Sequence, residues 1–103
     1  MSDEIDPQDV LERAVESNCS IDDIENLIEL GADVHANDGF ILGLAVLNNS
    51  LELIKYFVEK HEVKIKESNL YLSQLYNYDE QFKYLQRAML IQIRNGRIKE
   101  HLE

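Results

Sequence analysis

The 103-residue chain holds one cysteine, one proline and four glycines, and each scarcity closes off a class of protein. Cys19 has no second thiol to meet, so no intrachain disulfide can form, and a reducing compartment suits the chain. So little proline and glycine, with 45% apolar residues, argues against a disordered or fibrous polymer and for a packed core. No apolar run approaches the roughly 20 residues that span a bilayer. The opening MSDEIDP is acidic where a secretory leader would be basic. The expectation is one cytoplasmic domain, large enough to bury about two-thirds of its unfolded surface. The closing pair Leu102–Glu103 is of the kind a cloning junction leaves.

Bases are scarce in one half only. Residues 1–54 carry thirteen acids against Arg13 alone, a balance of −12, whereas residues 55–103 balance at +2, for a total of −10. Gln81 to Lys99 holds five bases (Lys83, Arg87, Arg94, Arg97, Lys99) and no acid. Solvated helix faces account for such a pattern, and so does an acidic face that steers a basic partner into contact. Direct binding of nucleic acid through the first half is disfavoured, because phosphates are repelled there.

Catalytic and metal-binding patterns are also sparse. His35, His61 and His101 with Cys19 are the whole supply of imidazole and thiol ligands. His61-Glu62 lacks the second histidine of a zinc-protease helix, and His35 and His61 fall one repeat apart, about 10 Å if helix pairs stack, too far to share a metal. Cys19 sits at a turn with no neighbouring base to activate it. Asp22-Asp23 and Asp79-Glu80 are paired carboxylates, but both open helices, where capping explains them. No glycine-rich phosphate loop or Ser/His/Asp series is present. A non-enzymatic protein without metal or cofactor is expected.

What the chain does have is helical periodicity. Asp6-Pro7 is a natural start, ahead of Val10, Leu11, Ala14 and Val15. Asn18, Cys19 and Ser20 interrupt, and Ile21, Ile24, Leu27, Ile28 and Leu30 mark a second helix that stops at Gly31. Phe40 to Leu47 is apolar on every side, predicting a helix buried between neighbours. Asn48-Asn49-Ser50 breaks it, with Asn49 suited to the C-terminal cap. Leu51 to Val58 forms a fourth helix, residues 60–68 a loop or short extended piece, Leu70, Leu72 and Leu75 a fifth helix, and Phe82 to Ile93 a sixth, ending at Asn95-Gly96. The apolar stripe of that last helix (Leu85, Ala88, Met89, Ile91, Ile93) has the pattern of core.

The chain also repeats itself. IENLIELGADV at 24–34 aligns with IKYFVEKHEVK at 54–64, a period of 30, and EQFKYL at 80–85 aligns with ELIKYF at 52–57, an offset of 28. Upstream of each copy stands another apolar helix: VLERAV, ILGLAV and the weaker LYLSQL. The run LIELGADVHANDG followed by ILGLAVLNNSLELIKYFVEK resembles the ankyrin repeat, in the short degenerate form common in large DNA viruses and intracellular microbes.

The resemblance implies an all-α helical solenoid of about three helix pairs (residues 7–37, 38–68 and 69–96, with a tail at 97–103) and degenerate terminal caps. It matches Gly31, Ala32, Asp33 and Val34 to the loop, Leu42 and Ala45 to the first helix, and Leu51, Glu52, Ile54 and Phe57 to the second. It departs where FILG replaces the Thr-Pro-Leu-His turn, leaving Phe40 and Gly43 without the turn's hydrogen bonds. The loop is about three residues short, predicting a stubby finger in place of a β-hairpin, and Ser73 replaces the small alanine of the third repeat.

Proteins of this family bind other proteins through finger tips and helix ends. The matching positions are His35, Asn37, Asp38 and Phe40 at the finger and Ser17, Asn18, Asn48 and Tyr76 at the helix ends. Tyr71, Tyr76 and Tyr78 read either as bulky closure of the stack or as interface residues. The resemblance implies an adaptor or effector for a host or cellular protein. The contrasting reading is an acidic nucleic-acid mimic that inhibits a DNA- or RNA-handling enzyme such as a host defence nuclease. A monomer is expected, with salt-sensitive self-association through the basic last helix and the acidic first repeat as a further possibility. No membrane partner is expected.

Stacking makes the middle repeat indispensable. Leu42→Asp or Phe57→Asp should abolish cooperative thermal unfolding followed by circular dichroism, since an unpaired buried charge costs upward of about 4 kcal/mol, much of a typical domain's stability. A sharp, unchanged transition would reject the stacking.

Overall fold

The computed structural model describes residues 6–102, with side chains placed for residues 6–96; residues 1–5, the side chains of Arg97, Lys99, His101 and Leu102, and Glu103 lie outside that description. Six helices make up the described chain, and no strand occurs among the described residues: α1 Pro7–Glu16, α2 Ile21–Glu29, α3 Ala36–Leu47, α4 Leu51–Lys55 continued by a π-helical turn Tyr56–Lys60, α5 Glu67–Leu75 and α6 Asp79–Leu102.

The helices begin where small polar side chains can satisfy free backbone donors. Asp6 accepts from the Gln8 amide at 3.0 Å, Ser20 from Asp23 at 3.2 Å and Ser50 from Leu53 at 3.4 Å. α1, α3 and α5 end in the same device. Asn18, Asn49 and Asn77 take left-handed φ values of 56°, 55° and 59°, a conformation Asn tolerates better than other residues with a β-carbon. In each, the amide of the next residue reaches back to a small one: Cys19 to the Ala14 carbonyl, Ser50 to Ala45 and Tyr78 to Ser73, at 2.8–3.1 Å. This is the Schellman closure. The buried Ser73 hydroxyl donates to the Leu70 carbonyl at 2.7 Å, so serine substitutes for alanine without an orphaned polar group.

The second helix of each pair ends differently. Gly31, at φ +114°, closes α2, with Ala32 donating to the Leu27 carbonyl. Glu62, at φ +53°, closes the π turn, with Val63 donating to Phe57. Leu27 and Phe57 are 30 residues apart, whereas Ala32 and Val63 are 31 apart. The π turn accommodates that extra residue by widening one turn of helix, so Ala32 and Val63 still both reach the core.

The principal packing runs α1 on α2, α1 on α3, α3 on α4, α3 on α5 and α5 on α6. The first helices of the three pairs are thus successive neighbours, and each carries its own second helix. The thinnest dimension is 23 Å, that of two helices at about 10–12 Å each. Leu11, Val15, Ile24, Leu42, Ala45, Val46, Ile54, Phe57 and Leu85 are fully buried, and burying each larger side chain stabilises by about 1.5–3 kcal/mol.

Three sequence expectations need correction. α3 is covered on three sides, not all: Phe40 and Leu47, seven residues apart on one face, stay 49% and 43% exposed, because α1, α4 and α5 leave that side open. α6 does not stop at Asn95-Gly96 but continues to Leu102; a glycine that keeps negative φ costs about 1 kcal/mol within a helix without ending it. The α6 stripe is only partly core. Leu85 and Ala88 are buried and Met89 half-buried, but Ile91 and Ile93 are exposed, since they turn away from the face on which Leu85, Ala88 and Gln92 pack.

The left-handed turns give a direct check. Asn18 is exposed, so Asn18→Gly should leave stability unchanged or raised, whereas Asn18→Ala should lower it by about 1 kcal/mol. Urea denaturation followed by circular dichroism measures both. Equal effects would show that the turn geometry is not limiting.

Candidate interaction site

The finger is a left-handed knuckle. Asn37, Asp38 and Gly39 follow one another at φ 54°, 58° and 75°, so the right-handed part of α3 begins only at Phe40. A β-carbon on Gly39 would lie 3.1 Å from Val63 Cγ1, and its positive φ also favours glycine. The approach is braced by the Asp33 amide donating to Gln8 Oε1 and the His35 amide donating to Asp33 Oδ1, both at 2.8 Å, and by Lys66 Nζ pairing with Asp38 at 3.0 Å. His35, Asn37, Asp38 and Phe40 are all exposed on this knuckle.

The helix-end candidates lie elsewhere. Ser17, Asn18, Asn48, Tyr76 and Tyr78 sit on the closing turns of α1, α3 and α5, at the opposite end of α3, about 12 Å from the finger by helix rise. The structure therefore brings the candidates together in two groups. Ser17 and Asn18 are exposed. Asn48 is half-buried and its Nδ2 donates to the Val15 carbonyl, so it is first a strut between α3 and α1. Asn49 adds a second strut by accepting from Gln81 Nε2. Tyr76 and Tyr78 stack with ring centroids 5.7 Å apart. Tyr71 stands 62% exposed on α5 outside that stack.

A polar cluster between α2 and the π turn carries the other unusual chemistry. Lys60 pairs with Glu25, and His61 Nε2 lies 3.0 Å from the Tyr56 hydroxyl. Tyr56 and His61 are five residues apart, a spacing that faces two side chains together on a π turn but not on an α-helix, so ordinary helical periodicity could not reveal it. Lys60 holds the Glu25 carboxyl below its usual pKa. Burial, aided by Lys60 and the nearby His35, holds His61 below the ordinary imidazole value. The Tyr84 phenol, which donates to Glu59 at 2.7 Å, is raised by burial and by that bond. Burial and Asp23 push the Cys19 thiol up, away from the thiolate a nucleophile needs.

Among the described residues no group of three or more His, Cys, Asp or Glu side chains is arranged to hold a metal, and no helix is long and apolar enough to cross a membrane. Compared with family models, curated proteins and solved structures, the chain finds no match in any of the three.

The depressed His61 pKa has a stability consequence with a definite sign. The native state binds fewer protons than the unfolded chain, so stability is complete above the ordinary value of 6.5 and is lost as pH falls through it toward the lower native value. Glu25, whose pKa is also lowered, acts only as pH falls through 4.5 and below. Melting temperature should be level between about pH 7.5 and 8.5 and decline as pH falls below 6.5, with a flatter decline in His61→Gln. An identical slope in the variant would remove His61 as the source.

Proposed function

We propose that this chain is an ankyrin-like helical solenoid that binds another protein, acting as a non-enzymatic adaptor or effector in the cytoplasm, with a host or cellular protein as its partner. Two observations support the ankyrin-type arrangement: the successive packing of α1, α3 and α5, and the Gly31–Val34 loop that carries the resemblance. The observation that carries the binding role is the exposure of Phe40 and Tyr76, at 49% and 50%, beside backbone turns closed by local hydrogen bonds. Aromatic side chains have few rotatable bonds and lose little entropy on contact, which is what interface anchors require.

A second reading rests on the acidic half. Of its acids in the described chain, only Glu12 and Glu25 are not fully solvent-exposed, so the half presents an array of carboxylates that could occupy the phosphate channel of a DNA- or RNA-handling enzyme. Salt separates the readings. Affinity of a phosphate mimic falls steeply with added salt and is competed by DNA, whereas an aromatic contact changes little.

Affinity capture from host lysate tests the first reading. Phe40→Ala and Tyr76→Ala should each reduce retention of a captured protein about tenfold, the effect of losing an interface anchor. Undiminished capture by both variants would overturn this placement of the contact.

A further inference from the structure

The outer face of α6 sets exposed apolar residues among bases. Lys83, Arg87, Leu90, Ile91 and Arg94 recur at helical spacing along one stripe about 16 Å long, and all five are exposed, Leu90 by 64% and Ile91 by 53%. The opposite stripe is inward: Gln81, Leu85 and Ala88 are buried. Between Gln81 and Gly96 the helix carries no acid. The stripe is also held in place, since Gln92 grips the 62–66 connection through both amide atoms, accepting from the Ile65 amide and donating to the Val63 carbonyl, each at 2.9 Å.

We propose that this stripe of α6 is a docking surface for an acidic amphipathic helix of a partner protein, which would cover Leu90 and Ile91 with its apolar seam and pair its carboxylates with Lys83, Arg87 and Arg94. Two exposed apolar side chains between bases match the seam-and-flank pattern of paired helices, where hydrophobic contacts hold and flanking charges select the partner. A second copy of this chain is a poorer fit. Among its described residues the acidic half exposes Leu30, Phe40 and Leu47 as its large apolar residues, while Leu11, Val15 and Ile24 of its acidic helices are wholly buried, so it offers carboxylates without a seam there. A nucleic-acid backbone has the right charge for the bases but offers no apolar seam to Leu90 and Ile91, and the three bases of the stripe are fewer than the cluster of about four to eight that marks binding to an anionic bilayer. This surface is distinct from the finger and the closing turns, and does not depend on the role proposed for them.

The test is fluorescence anisotropy of a labelled synthetic peptide with leucine at heptad positions a and d and glutamate at e and g, against its twin with lysine in place of glutamate. The whole chain should bind the glutamate peptide at least about tenfold more tightly than the lysine peptide, more weakly as salt is added. Leu90→Glu with Ile91→Glu should abolish binding while leaving the thermal transition unchanged, because both residues are exposed. Arg87→Glu with Arg94→Glu should reverse the preference toward the lysine peptide. Absence of saturable binding, equal binding of the two peptides, or affinity unmoved by these variants would overturn the proposal. Displacement of the peptide by phosphatidylserine vesicles or by duplex DNA would overturn it in favour of those surfaces. So would sedimentation showing self-association that Leu90→Glu abolishes, in favour of a second copy.

Discussion

The burial of α3 is the constraint on which the rest of this molecule depends. It packs on α1, α4 and α5 at once, and Leu42, Ala45 and Val46 lose all contact with solvent. Neither terminal pair has a comparable interior. α1 and α2 contribute Leu11, Val15 and Ile24 to the core, and α6 contributes Leu85, all in one cluster with Leu42, Ile54 and Phe57 of the middle pair. A stack of this kind is stable as a sum of neighbour contacts, which gives its centre more weight than its ends.

Packing against one shared helix demands that the chain reverse direction on schedule, and the left-handed residues provide this. Asn18, Asn49 and Asn77 close the first helices, and Gly31 and Glu62 close the second. The carbonyls that receive the closing bonds belong to Ala14, Ala45 and Ser73, so the small-residue position of each first helix is also the anchor of its turn. The repeats differ in length, and the π turn absorbs the difference: one widened turn lets Val63 reach the position that Ala32 occupies in the preceding pair. The same widening faces Tyr56 with His61 and so creates the polar cluster with Glu25 and Lys60.

The surfaces left over are specialised by this geometry. Bracing by Gln8, Asp33 and Lys66 holds the knuckle of Asn37 to Gly39 outward with Phe40 beside it, while struts from Asn48 and Asn49 tie the closing turns together. Amides that look like free contact groups in the sequence are thereby engaged within the fold. On α6 the converse holds, because apolar side chains stand on a face that no neighbouring element covers.

Composition and periodicity determined the helical class, the starts of α1, α2, α4 and α6 and the breaks at Asn18, Gly31 and Asn49, because caps and apolar spacing are local properties of a few residues; α5 instead starts at Glu67, within the 60–68 stretch expected as a loop. They also placed Leu42, Phe57 and Leu85 inside, since apolar residues at repeat-related positions share an environment. Only the tertiary structure decided which apolar face stays uncovered. Ile91 and Ile93 have the same chemistry as core residues, and their exposure depends on which face of α6 its neighbours cover. The Asn48 strut, the Gln92 clamp and the Tyr56–His61 contact likewise join groups whose proximity depends on packing or on one π turn. Local sequence sets what a segment can form, and the distances among distant segments settle which of its side chains are left to meet another molecule.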